Sequence, residues 1–163
     1  HPTLRLLLLG SGPERERFKA QVPAALKARV SFLGHREPAD LPDVFAAADI
    51  FCLPSRHDGW GVVVNEALGA GLPIIASRTV GASHDLIQNQ KTGFVLDSGS
   101  IDAMSDAIAT LACDRGLRTN MSASSSSLSQ FWGLKNGVDR WKQLCSRLII
   151  DPTTGIPNQG RPI

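Results

Sequence analysis

Residues 50–77, IFCLPSRHDGWGVVVNEALGAGLPIIAS, most constrain how this chain folds. A short apolar run ends at Pro54, a glycine-punctuated loop follows, then a helical stretch stopped by Ala70, Gly71 and Pro73, then a second apolar run. Strands this short and this uniformly apolar fit burial on both faces, as in a parallel sheet. Parallel neighbours need a crossover, and the helix between the two runs supplies it. The loop then lies outside the carboxyl ends of the strands, where ligands collect in open α/β sheets.

The same alternation runs through the rest of the chain. Strands are expected over 4–9, 30–33, 50–53, 73–76 and 94–96, each a short apolar run. Helices are expected over 14–28 with a kink at Pro23, then 39–48, 62–69, 82–87, 101–112 and 134–150. Phe18, Val22 and Leu26 give the first helix a core face, with Pro13 at its start. Ser100 suits a helix cap, with Asp102 in the first turn. Residues 117–130 read as a weak helix, because serine competes for backbone hydrogen bonds. The last helix is amphipathic, with Val138, Trp141, Leu144, Cys145 and Leu148 on one side. The pattern predicts an α/β fold, a five-stranded parallel sheet with helices on both faces. Residues 1–150 are expected to form one domain, and 151–163, rich in Pro, Gly and polar residues, a disordered tail. The chain opens at His1 and enters an apolar strand three residues later, a lead-in expected of a piece of a longer protein.

Charge and cysteines narrow the partners. A net charge of +2 gives no case for nucleic acid, and Arg15, Arg17 and Lys19 alternate with Glu14 and Glu16 as on a solvated helix face. No apolar run approaches the ~18–20 residues that span a bilayer. Cys52, Cys113 and Cys145 are odd in number and widely spaced, as in a reduced, cytoplasmic chain without a zinc site. Cys52, inside a strand, reads as a small buried hydrophobe rather than a nucleophile. Asn120-Met121-Ser122 matches a glycosylation acceptor that a cytoplasmic chain would not use.

The chemistry concentrates at the loop–helix junction. Asp58 and Glu66 stand eight positions apart, and Gly59 and Gly61 flank Trp60. A carboxylate accepts two hydrogen bonds from a vicinal diol. Gly61, Val62 and Val63 open the helix, so their N–H groups lack intrahelical partners and suit an anion such as a diphosphate. Glycines allow the backbone to approach that ligand closely. A sugar nucleotide has both the anion and the diols. Trp60 either walls the sugar pocket or packs into the core. Gly10-x-Gly12 after the first strand invites a dinucleotide-binding reading, but the third glycine of that fingerprint is replaced by Arg15. His35, considered alone, is an ordinary loop histidine, as Asp58 alone is a turn former and Glu66 alone a solvated helix residue.

Taken in order, LLLLGSGPERE, RVSFLGH, LPDVFAAADIFCLPSRHDGWGVVVNEALGAGLPIIAS, VGASHDLI and KTGFVLDSGSIDAMSDAI resemble the carboxyl-terminal domain of family 4 glycosyltransferases. The resemblance covers about residues 4–150. It implies the GT-B fold of two Rossmann-like domains and a retaining, metal-independent transfer of a hexosyl group from a UDP- or GDP-linked sugar to an acceptor hydroxyl, in the synthesis of a polysaccharide, glycan or glycolipid. No cofactor is implied, because the nucleotide sugar is a substrate. The family's paired glutamates fall on Asp58 and Glu66, the first shortened by one methylene. The resemblance assigns Asp58 to the donor sugar and Glu66 to the ribose, with the diphosphate between them on the helix start at Gly61. Gly34, His35 and Arg36 border the base, and Gly10, Gly12, Val80 and Gly81 line the same cleft.

The resemblance also implies what lies elsewhere. The family's domain begins one strand earlier, with an arginine and a lysine in the loop after it. That strand would lie between those at 4–9 and 50–53. The acceptor domain would precede it, and any peripheral membrane association would come through the full-length protein. The isolated piece is then expected to be inactive. Two other readings compete: a sugar-nucleotide epimerase of the same fold, and a non-catalytic nucleotide-binding or scaffold module.

Overall fold

The computed structural model describes residues 3–148. The expected tail at 151–163 and the end of the last expected helix lie outside the described residues. The five strands form where the apolar runs stand: β1 (Leu6–Leu9), β2 (Val30–Gly34), β3 (Phe51–Leu53), β4 (Ile74–Ser77) and β5 (Gly93–Leu96). All pair in parallel. Hydrogen bonds join them as two sheets, β1–β2 and β3–β4–β5, rather than the one expected. β1 and β3 each have one edge unpaired among the described residues.

The helices are α1 (Arg15–Gln21), α2 (Leu41–Ala46), α3 (Val62–Gly69), α4 (Ala82–Leu86), α5 (Ile101–Cys113), α6 (Arg115–Phe131) and α7 (Leu134–Leu148). Side chains alternate across β4, so Ile74 and Ala76 face one layer and Ile75 the other. The first layer is closed by Val64, Ala67 and Leu68 of α3 and by Ala82 and Leu86 of α4. The second is closed by Ala107 and Leu111 of α5 and Met121 of α6. The chain is thus a Rossmann-like α/β fold of parallel strands, with helices on both faces of β3–β4–β5. Cys52 packs beside the second layer, where burial pushes its thiol up to about 11. That environment suits a packing residue and suppresses thiolate formation at neutral pH.

Several local expectations are corrected. The first helix stops at Gln21 and resumes as a 3-10 helix over Ala24–Arg29, because Pro23 cannot donate into the ladder. Pro13 stays in the turn before it. A 3-10 helix over Pro38–Asp40 precedes α2. Ser100 occupies the cap position of α5 but its side chain caps nothing. The serine-rich stretch is a 17-residue helix, started by the Asp114 side chain, which accepts from the Leu117 amide. Two of its serines bond back within the helix, the Ser124 hydroxyl donating to the Asn120 carbonyl at 2.9 Å and the Ser129 hydroxyl to the Ser126 carbonyl at 2.8 Å, while the buried Ser125 reaches the Thr92 carbonyl.

The larger correction concerns β1. Its leucines are not buried on both faces: Leu6 is 49% exposed, and Leu7 and Leu9 are exposed too. Phe18, expected in the core face of α1, is also exposed. The helix beside this pair, α1, touches it through Arg15, whose side chain donates to the Phe32 carbonyl at 3.3 Å, but α1 buries none of its own residues.

Candidate functional site

The site is built where β3 and β4 end. After β3 the chain loops through residues 54–61 into α3, and after β4 it loops through residues 78–81 into α4. The two loops are sewn together by backbone hydrogen bonds. The Asp58 amide donates to the Thr79 carbonyl at 3.1 Å, the Gly81 amide to the Asp58 carbonyl at 3.1 Å, and the Ala82 amide to the Trp60 carbonyl at 2.7 Å. Asp58 and Val80 form a parallel bridge beyond the regular strands. The Thr79 hydroxyl adds a bond to the Ser55 carbonyl at 2.8 Å.

This approach demands glycine. A Cβ on Gly81 would stand 2.3 Å from the Gly59 carbonyl oxygen. Gly61 takes the left-handed conformation, φ 82°, as the residue before α3. A Cβ there would stand 2.6 Å from Val80 Cγ1. Because glycine has no side chain, α3 starts with no side-chain cap. The amides of Val62 and Val63 find no acceptor among the described residues, and both side chains are exposed. Two orphan donors at the positive end of a helix make a place for an anion.

The two carboxylates flank this helix start, and both residues are half-buried. Asp58 Oδ1 accepts the Trp60 amide at 3.2 Å, which turns the loop, and its second oxygen has no partner among the described residues. Glu66 lies one helical turn past Val62, and its carboxylate receives no hydrogen bond from the described chain. Trp60 is 38% exposed, which removes the alternative that its ring packs into the core. Its indole Nε1–H donates to Asn65 Oδ1 at 2.8 Å.

Asp58, Gly59, Trp60, Gly61, Val62, Val63 and Glu66 therefore stand together with Val80 and Gly81. A second group forms at the carboxyl ends of β1 and β2. Gly10 and Gly34 both have positive φ, and the Gly10 amide donates to the Gly34 carbonyl at 2.8 Å. Gly12 follows in the turn, where its carbonyl accepts the Arg15 amide. His35 and Arg36 are exposed just beyond, with His35 Nε2 3.7 Å from Glu37 Oε1. No hydrogen bond joins the residues of the two groups. A hollow lined by Phe45, Asp49, Gly71, Arg115, Arg118 and Ser122 lies at the opposite ends of β3 and β4 and is separate from this site.

Two members of the site were not singled out from sequence. Asn65 is the only polar residue between Gly61 and Glu66, and that break in an apolar run was the available signal. Thr79 carried no signal, since its bond crosses from a separate loop.

Comparison with known proteins gives one family. Residues 1–127 match the family described as Glycosyl transferases group 1. The GDP-mannose-dependent α-(1-6)-phosphatidylinositol monomannoside mannosyltransferase of Mycobacterium tuberculosis is 36% identical over 126 residues, covering 72% of this chain and 32% of that protein. Among solved structures, Anabaena HepE in complex with UDP superposes with a TM-score of 0.79 at 25% identity, over 91% of this chain and 42% of HepE. Sucrose-phosphate synthase of Thermosynechococcus elongatus gives 0.76 at 27% identity, over 88% and 38%. The chain spans about a third of the length of the curated relatives it matches, 32% for the mycobacterial enzyme.

Proposed function

This chain belongs to the group 1 glycosyl transferases, and we propose that it is the donor-binding part of a retaining hexosyltransferase of family 4. The observation that carries the reading is the uncapped start of α3, held between two carboxylates by a loop that glycine alone permits. The diphosphate of a nucleotide sugar rests on the Val62 and Val63 amides. Glu66 accepts hydrogen bonds from the ribose diol, and the free oxygen of Asp58 accepts from the sugar hydroxyls. The groups at Gly10, Gly34, His35 and Arg36 border the base from the ends of β1 and β2.

The mycobacterial relative is GDP-mannose-dependent and HepE was solved with UDP, which supports a nucleotide-diphosphate sugar as the ligand class. The acceptor is held by the amino-terminal domain of the complete protein, which also supplies any contact with a membrane. Neutralisation of the leaving diphosphate would be the largest electrostatic contribution to transfer. Here it is assigned to backbone amides and to cationic side chains outside this chain, without a metal. The protein works in the cytoplasm, and this chain alone binds donor without transferring it.

Calorimetry with UDP, UDP-glucose, GDP and GDP-mannose tests the reading. One of the two nucleotide pairs should bind, and chelator should leave the affinity unchanged. Glu66→Gln should weaken that nucleotide roughly tenfold, as expected when a charge-assisted bond becomes a neutral one. Absence of binding by all four ligands would sink it.

A further inference from the structure

We propose that Asn65 is a positioning residue of the donor site: it locks the Trp60 indole in one orientation, and the hexosyl ring of a nucleotide sugar rests on that indole. The inference builds on the donor-site reading above. Trp60 sits between Asp58 and the start of α3, so it borders both the free carboxylate oxygen and the open amides. Its backbone is fixed at both ends, the N–H by Asp58 Oδ1 at 3.2 Å and the carbonyl by the Ala82 amide at 2.7 Å. Its side chain is fixed by a single polar contact, Nε1–H to Asn65 Oδ1 at 2.8 Å.

An indole N–H only donates, so the tie orients the Asn65 carboxamide with its oxygen toward Trp60. An exposed tryptophan without such a tie would distribute over several rotamers, and a ligand would have to select one of them. With the tie, the ordering is done before the ligand arrives. The indole N–H is satisfied by protein, while the residue as a whole stays exposed. Exposed apolar residues, Trp60, Val62 and Val63, thus lie in the chain between the carboxylate residues Asp58 and Glu66. A hexose matches that layout, with C–H groups on its faces and hydroxyls on its rim. A bare nucleoside diphosphate has no such ring at this position. Asn65 should therefore act on the sugar and leave the nucleotide alone. An asparagine does this without adding a third carboxylate beside a diphosphate.

The test is a double-mutant cycle read by calorimetry with UDP and UDP-glucose, or with GDP and GDP-mannose if guanosine is the base. Asn65→Leu removes the acceptor at similar volume, Trp60→Phe removes the donor, and Asn65→Ala serves as a second variant. Asn65→Leu should weaken the nucleotide sugar about five- to tenfold and change the bare nucleotide less than about twofold. Adding Asn65→Leu to Trp60→Phe should cost less than about twofold more. The Trp60 indole proton resonance should move in Asn65→Leu and Asn65→Ala in the absence of ligand. Equal weakening of sugar and nucleotide, or additive effects of the two substitutions, would overturn the inference. A wild-type chain that binds no nucleotide would remove the donor-site reading and this inference with it. A chain that binds both ligands but gives Asn65 variants with an unchanged sugar-to-nucleotide ratio would remove this inference alone.

Discussion

The β1–β2 pair and the β3–β4–β5 sheet share parallel pairing and short apolar strands, yet they bury those strands very differently. Every residue of β4 is buried, with a strand on each edge and helix layers on both faces. In β1 three of four leucines are exposed, and one edge is unpaired among the described residues. What buries a strand is therefore its neighbours, two strands beside it and two helix layers over it, and apolar composition alone does not supply them. The difference also locates function. The loops that leave β3 and β4 are fixed to one another by glycine contacts and backbone hydrogen bonds, and they rest on the well-packed sheet. The glycines that leave β1 and β2 rest on the less buried pair.

The largest test of this contrast is truncation inside the better-packed sheet. Ile75 is fully buried under the layer of α5 and α6, and Ile75→Ala should cost about 2–5 kcal/mol in chemical denaturation. Gly81→Ala comes next. Its Cβ meets a backbone oxygen that cannot swing away, so about 1–3 kcal/mol and most nucleotide affinity should be lost together. If Gly81→Ala bound nucleotide as well as the unaltered chain, the sewn loops would not be what shapes the site.

A smaller effect follows from Cys52. Its thiol is raised from 9.0 to about 11 by burial, so the folded state resists forming the thiolate that the unfolded chain forms readily. That stability is fully present below pH 9.0 and is lost as pH rises toward about 11. For a residue half-buried by area, a loss on the order of 1–2 kcal/mol is expected, and Cys52→Ala should flatten this part of the stability–pH curve. The smallest effect is on β1: Leu6→Ser should change stability by no more than about 0.5 kcal/mol, because the side chain is already half in water. A cost for Leu6→Ser equal to that of Ile75→Ala would erase the contrast between the two regions.

The order of strands and helices was legible because short apolar runs closed by Gly or Pro leave few alternatives, as at residues 50–77. Helix breaks were less legible. Pro23 signalled a kink, but its consequence was a change of helix type over Ala24–Arg29. Burial of Leu6 and Phe18 could not be read locally, since it depends on which other elements reach them. At the site, Asp58, Glu66 and the glycines were legible from spacing around one loop. The bonds from Thr79 to Ser55 and from Gly81 to Asp58 were not, because they join loops brought together only by the pairing of β3 with β4. Asn65 was overlooked because the helix pattern accounts for a polar residue at any exposed position, and its partner lies outside the helix.

The central claim is that the uncapped start of α3 receives the diphosphate of a nucleotide sugar. Backbone amide NMR during titration with UDP, and with GDP in parallel, tests it most directly. The account predicts that one of the two shifts the Val62 and Val63 amides downfield with saturation, that the Asp58–Trp60 loop follows, and that the hollow around Arg118 is silent. Saturable binding that leaves Val62 and Val63 unmoved, or no binding of either nucleotide, would contradict it.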